Sequence, residues 1–310
     1  MKMSIDSTLE VPTGAQQPRL LHWYAVLGDY WTLTKPEVNF LIVITTFAGF
    51  YLGYPKQSAN FPLLLLVRSL LGTLLVASGT ATLNQYLERR FDAQMRRTAR
   101  RPLPAGRLKP SAALWFGIFL SVGGGVYLTV AVNALAGALA LLTLITYLYI
   151  YTPLKRKTPL CMLVGALPGA MPPLIGWAAA AGRLSAEAWV LYAMLFLWQF
   201  PHFMAIAWMY REDYARAGFL VLPRGQHRDR FVALQSVFPA LVLIPLSLLP
   251  ALLGHAGFVY MVGALLLSSG FSCCAAQLGI HRSNAVARQL LFASIIYLPS
   301  IYVLLMINKT

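Results

Sequence analysis

Asn84, Glu88 and Asp92 stand four residues apart at the end of a long apolar stretch, and a basic segment carrying Arg96, Arg97, Arg100 and Arg101 follows at once. On an α-helix this spacing stacks three oxygen-bearing side chains on one face, about 6 Å of rise per step. Hard oxygen donors in a stripe suit Mg²⁺. With a basic rim they also suit a diphosphate: carboxylates hold the metal, the metal bridges phosphate oxygens, and Arg or Lys takes the remaining charge. The competing reading is an amphipathic helix end whose acids pair with nearby Arg.

A second polar concentration lies four apolar stretches later. Trp198, Gln199 and His202 lead into Tyr210, Arg211, Glu212, Asp213, Tyr214 and Arg216, followed by Gly218, Pro223 and Arg224. Each concentration joins carboxylates to Tyr and Arg and continues into a basic loop, so the two read as facing halves of one site. Lys35, Arg96, Arg100, Arg101, Lys155 and Arg156 are the candidate cations; setting membrane orientation is the other role open to each.

Composition says what must position these groups. Of 310 residues 58% are hydrophobic and only 11% charged, against about a quarter charged in a soluble domain. Stretches near the roughly 20 residues that a span needs fall at 38–54, 62–83, 111–132, 134–151, 160–181, 186–210, 231–253, 257–278 and 286–307. The expected fold is therefore all-α and polytopic, with nine membrane helices. The third and fourth stretches are separated only by Asn133.

The distribution of Lys and Arg gives an independent check on this topology. With the N-terminus cytoplasmic, only Lys56, Arg183 and Lys309 fall on the far side and Arg68 lies inside a span, which leaves 21 of the 25 on the cytoplasmic side. The net charge of +15 thus sits in short loops beside spans, where orientation and anionic headgroups account for it, and a nucleic-acid partner is excluded. Cys161, Cys273 and Cys274 fall in spans and imply no disulfide framework.

Residues 1–37 lack a signal peptide's apolar core and read as a cytoplasmic and interfacial segment preceding a membrane domain over 38–310. Within it, 20–33 has the aromatic pattern of a helix lying on the membrane surface, with Trp23, Tyr24, Tyr30 and Trp31. Gly165, Pro168, Gly169, Pro172 and Pro173 crowd the fifth span, where a kink and close packing are expected. The spans otherwise lack mid-membrane charges, which argues against a channel or proton-coupled transporter. The acids and bases gather instead at one face, as chemistry on a substrate with a polar end requires.

Taken in order, Asn84, Glu88, Asp92, Met95, Thr98 and Arg101-Pro102-Leu103, then Tyr151-Thr-Pro-Leu-Lys155-Arg156, Gly169-Ala-Met-Pro172-Pro173 and Trp198-Gln199 with His202-Phe203 resemble the UbiA-type intramembrane prenyltransferases, in the branch that farnesylates protohaem IX. The resemblance runs from Lys35 into the last span. It implies a bundle around a central cavity in a bacterial inner (plasma) membrane, with the catalytic face cytoplasmic. It also implies transfer of farnesyl from farnesyl diphosphate to a vinyl group of haem b, giving haem O, with Mg²⁺ as cofactor and haem A synthase as partner. Asn84, Glu88 and Asp92 correspond to the family's first metal stripe and Asp213 to its second, with Tyr214 beside it.

Tyr151, Lys155 and Arg156 would then hold phosphate or the haem propionates, and His202 is either an axial contact to haem iron or a packed core histidine. Ala217 stands where aromatic-prenylating relatives carry a second acid, and Cys161 and Val221 replace an expected Asn and Met. A relative acting on an aromatic or quinone precursor is the competing function.

Overall fold

A computed structural model describes residues 19–55 and 60–310, with side chains from Trp23 onward. The expectations for residues 1–18 and for Lys56 lie outside the described residues. The helices are α1 (Arg19–Leu33), α2 (Pro36–Gly53), α3 (Leu63–Asp92), α4 (Pro110–Ala131) and α5 (Ala134–Ile145), continued by a π-helical turn (Thr146–Tyr151) and α6 (Thr152–Leu154). Then follow α7 (Cys161–Gly169), α8 (Pro172–Ala181), α9 (Ala186–Met209), α10 (Arg211–Arg216), α11 (His227–Leu252), α12 (Phe258–His281) and α13 (Asn284–Ile307). Among the described residues nine segments are long and apolar enough to cross a membrane, α5–α6 and α7–α8 each making one. The one β-type pairing among them is an isolated bridge between Ala256 and Lys309.

Local chemistry sets the boundaries. Pro36, Pro110 and Pro172 each sit in a first turn, where the missing N–H costs nothing. Asn133 separates the third and fourth spans by capping α5: its backbone is extended and its side chain accepts from Ala136 N.

Three elements depart from the apolar pattern. The second span does not stop at 83; α3 continues to Asp92, because residues 84–92 are mostly good helix formers and their polar face is buried. The end of the fourth span opens into the π-helical turn, where Thr152 donates both its N–H and its hydroxyl to the Tyr147 carbonyl. Pro153 cannot supply the N–H that an α-helical turn needs there. The fifth span breaks completely at Ala170 and Met171, ahead of the Pro172-Pro173 pair.

That broken span lies deep in the bundle. A Cβ on Gly176 would overlap the Thr46 carbonyl and one on Gly49 the Pro173 carbonyl, so α2 and α8 touch backbone to backbone. The main core joins α9, α11, α12 and α13, where Tyr260 and Tyr302 are fully buried and their hydroxyls donate to Ser247 O (2.7 Å) and Leu191 O (3.1 Å).

α1 has the two faces of a surface helix. Trp23, Tyr24, Leu27 and Trp31 are exposed, while Val26, Tyr30 and Leu33 pack on Leu103, Leu108 and Ala113. Arg107 forks onto Asp29 at 2.9 to 3.0 Å. The basic connection 93–109 is thereby held beneath α1, at the exit of α3.

Candidate active site

The stripe expected from spacing is present and buried: Asn84 is 1%, Glu88 7% and Asp92 2% exposed. Each rung meets one cation from a different segment. Lys35 Nζ donates to Asn84 Oδ1 at 3.3 Å, Lys155 Nζ to both Glu88 oxygens at 2.9 and 3.1 Å, and Arg101 to Asp92 Oδ2 at 2.8 Å. Asn84 also donates to Thr152 Oγ1 at 3.2 Å. The structure shows the stripe paired with cations, as the ion-pair reading of the sequence expects, with all three oxygen-bearing side chains still on one face.

Each cation is placed by its own local structure. Lys35 takes a left-handed backbone (φ 52°) at the corner between α1 and α2, a conformation that needs support from its surroundings. Gln85 supplies it by donating to Leu33 O at 2.8 Å, and Asn39 by donating to Thr34 O and Ser78 Oγ, both at 2.8 Å. Lys155 follows the π-helical turn, and its ammonium sits over the rings of Tyr151 (4.6 Å) and Tyr147 (5.9 Å). Arg101 belongs to a tight loop in which Thr98 Oγ1 donates back to Asp92 O at 2.8 Å.

The electrostatics of the two lysines differ. Burial first, then repulsion from Arg101 and Lys155, lowers the Lys35 ammonium to about 7 against the pull of Glu88 and Asp92. Burial works against the Lys155 charge as well, but Glu88, with Tyr151 and Tyr147, outweighs it and holds this ammonium well above the ordinary lysine value.

The second concentration does fold over the first. Asp213, 8% exposed, accepts from Arg97 N at 3.2 Å and from Arg216 at 3.2 Å, and Arg216 also reaches Gln94 O at 3.5 Å. Leu220 N donates to Lys155 O at 2.7 Å, stitching the connection after α10 to the Lys155 segment. An aromatic wall joins them: Phe219 lies 5.8 Å from Phe91 and 6.2 Å from Tyr214, with the Arg156 guanidinium 4.3 Å above Phe91.

Not every candidate converges. Arg96 and Arg100 are exposed and no acidic partner meets their side chains among the described residues. Arg156 stacks on a ring and pairs with no carboxylate among the described residues. Tyr147 and Thr152 join the site without having been singled out in sequence, where the spacing of four between Tyr147 and Tyr151 was the one signal for Tyr147; Arg97, Thr98 and Arg216 stood in the motifs without a role of their own.

His202 packs against α13. Its Nδ1 lies 2.7 Å from Ser294 Oγ, which itself approaches Leu291 O at 2.5 Å. The single serine hydrogen goes to that carbonyl, so hydrogen bonding assigns the proton of His202 to Nδ1 and leaves an acceptor lone pair on Nε2. The ring stacks on Trp198 at 4.7 Å, and Trp198 donates to Ser294 O at 2.9 Å.

Among the described residues no three His, Cys, Asp or Glu side chains gather to hold a metal ion on their own. That argues against an all-protein cage and is compatible with Mg²⁺, which is held by one or two carboxylates together with waters and phosphate oxygens. Glu88 and Asp92, buried on one stripe and already matched by positive charge, fit that mode.

Residues 42–296 match the model of the UbiA prenyltransferase family. The chain is 50% identical over 289 residues to the protoheme IX farnesyltransferase of Solibacter usitatus, covering 91% of this chain and 99% of that protein. It is 43% identical over 294 residues to the protein of that name from Koribacter versatilis, covering 92% and 94%. Among solved structures, a digeranylgeranylglyceryl phosphate synthase superposes with a TM-score of 0.73 at 18% identity, covering 91% of this chain and 98% of that one. A UbiA homologue from Archaeoglobus fulgidus bound to DMAPP and Mg²⁺ gives 0.64 at 16%, covering 90% and 99%. Those two likenesses establish the shared bundle, and with the sequence match over most of its length the chain belongs to the UbiA prenyltransferase family.

Proposed function

We propose that this chain transfers the farnesyl group of farnesyl diphosphate to a vinyl group of haem b, making haem O and releasing diphosphate. The observation that carries the reading is the ladder of Lys35, Lys155 and Arg101 on Asn84, Glu88 and Asp92, taken with relatives named for that reaction. The three cations are poised to turn from the stripe to phosphate oxygens when a diphosphate enters. Glu88 and Asp92, with Asn84 and Asp213, are the residues that would hold Mg²⁺, which supplies Lewis-acid neutralisation of the leaving diphosphate.

The covalent balance is simple. The allylic C–O bond breaks with its electron pair on the diphosphate, the porphyrin vinyl carbon forms the new C–C bond, and water adds its oxygen to the neighbouring carbon and releases one proton. Lys35, Lys155 and Arg101 favour the first event by offering positive charge in a site of low dielectric. The wall of Phe91, Phe219 and Tyr214 limits water at the reacting carbon. His202, with Nε2 free to accept, is the proposed axial contact to haem iron.

The proposed setting is a bacterial inner membrane with the ladder at the cytoplasmic face, supported by the Lys and Arg asymmetry, and haem A synthase is the proposed consumer of the product. Incubating purified protein with haem b, farnesyl diphosphate and Mg²⁺, and following pigments by mass spectrometry, tests the reaction. Haem O from the parent and at most a trace from Asp92→Asn is the expected result; prenylation of an added phenolic acid in its place would transfer the assignment to aromatic acceptors.

A further inference from the structure

A cavity of about 360 Å³ opens beside the ladder, behind the Phe219 and Tyr214 wall, between the end of α9, α10 and the start of α11. Three arginines, Arg211, Arg224 and Arg228, line it with one acidic residue, Glu212, and Leu220, Leu222 and Pro223 supply an apolar wall. Two of the cations are fixed in place: the Arg211 and Arg228 guanidiniums lie 5.0 and 5.3 Å from the Trp208 ring, and Arg211 also donates to Asn284 at 2.9 Å. Asp229 takes part of the Arg228 charge at 3.4 Å but bonds Arg282 more closely, at 2.8 Å. Arg224 has no ion-pair partner among the described residues. The α11 N-terminus, which lacks a side-chain cap, opens on the same space at Gly225 and Arg228.

The chemistry of such a pocket is specific: an apolar wall for a flat hydrophobic body, and excess positive charge for carboxylates on its edge. In the ladder each carboxylate already has its own cation, whereas this cavity sets three arginines against one carboxylate. We propose that this cavity seats the propionate edge of the haem acceptor, with Arg224 and Arg228 as the specificity-determining residues and Arg211 as their support. The assignment rests on the haem acceptor proposed above. It divides the two anionic substrates between two basic sites that share one aromatic wall.

Protohaem and its dimethyl ester, which lacks the propionate charges, discriminate the assignment. The parent protein is expected to prefer the free acid in both Soret titration and turnover. Arg224→Glu and Arg228→Ala should each raise KM for protohaem roughly tenfold, the loss of about one charge-assisted pair, while the ester's KM and the farnesyl diphosphate KM stay as they were. Arg224→Lys should recover most of the preference and so reports that the fold is intact. If haem O forms and both variants keep the parent's preference, the assignment is overturned. It is also overturned if the variants change only the response to anionic lipid in nanodiscs, because the cavity would then be a headgroup site. A parent that prefers free-acid haem in titration but makes no haem O would retain the pocket and sink the proposed reaction.

Discussion

Lys155 and Glu88 face each other across 67 residues of chain, with the ammonium 2.9 and 3.1 Å from the two carboxylate oxygens and both side chains largely buried. The pair forms the middle rung of the ladder and joins the end of α6 to α3. A buried pair of this kind contributes little net stability intact and is costly to break, because one charge is left without a partner.

Lys155→Ala alone should therefore destabilise the protein by about 3–5 kcal/mol. Adding Glu88→Gln should recover part of that loss, with a coupling of about 1–3 kcal/mol. A double-mutant cycle on unfolding in detergent measures it, and strict additivity would refute the pairing. Turnover should remain lost in the double variant, since the proposed mechanism uses both charges on the diphosphate.

Asp92→Asn keeps the shape of the bottom rung and removes its charge. The expected loss in kcat is about 10²–10³-fold, the size associated with removing one preorganised electrostatic group. Arg101→Ala should act mainly on KM for farnesyl diphosphate. Steady-state kinetics on the two variants separates the roles.

Chelation separates catalysis from folding. Because Lys35, Lys155 and Arg101 already neutralise the stripe, EDTA should abolish turnover and leave the unfolding temperature of the substrate-free protein unchanged. Mg²⁺ should raise that temperature only when a diphosphate is also present, since only then does it gain a site in the folded state. Thermal scans with Mg²⁺ alone, diphosphate alone and both together make the comparison.

Ser294→Ala removes the acceptor that fixes the His202 proton on Nδ1. With His202 in its proposed axial role, haem affinity should fall roughly 10–100-fold, the size associated with losing a group that orients a metal-ligating histidine, and the Soret position of bound haem should shift. Ser294→Thr, which keeps the hydroxyl, should restore the spectrum.

Gly49→Ala tests the α2 and α8 contact. A methyl group there meets the Pro173 carbonyl, and overpacking of this kind costs about 1–3 kcal/mol. Unfolding in detergent should show the loss with little change in the ratio of kcat to KM.

Much of the bundle was legible from local pattern. Apolar runs near 20 residues gave the spans, the pattern of 20–33 gave a helix with one aromatic face exposed, and a spacing of four gave the stripe, because each signal is repeated within one element. The exceptions are instructive. Hydrophobicity ended the second span at 83, yet Asn84, Gln85, Glu88 and Asp92 are buried on a helix that keeps going; apolarity marks lipid contact and says nothing of burial among polar partners. The full break of the fifth span was legible only as an expected kink, and the π-helical turn before Pro153 was not read from the sequence at all.

Spacing placed Asn84, Glu88 and Asp92 on one face of one helix, but which cation answers each acceptor was settled by how distant segments pack. Lys35 lies 49 residues from Asn84, Lys155 lies 67 from Glu88, and His202 lies 92 from Ser294. Arg96 and Arg100 were as plausible in sequence as Arg101 and ended exposed. A charge in a loop carries no record of its direction; that is set when α1, α6 and α10 close over the end of α3 and the buried carboxylates take the cations within reach.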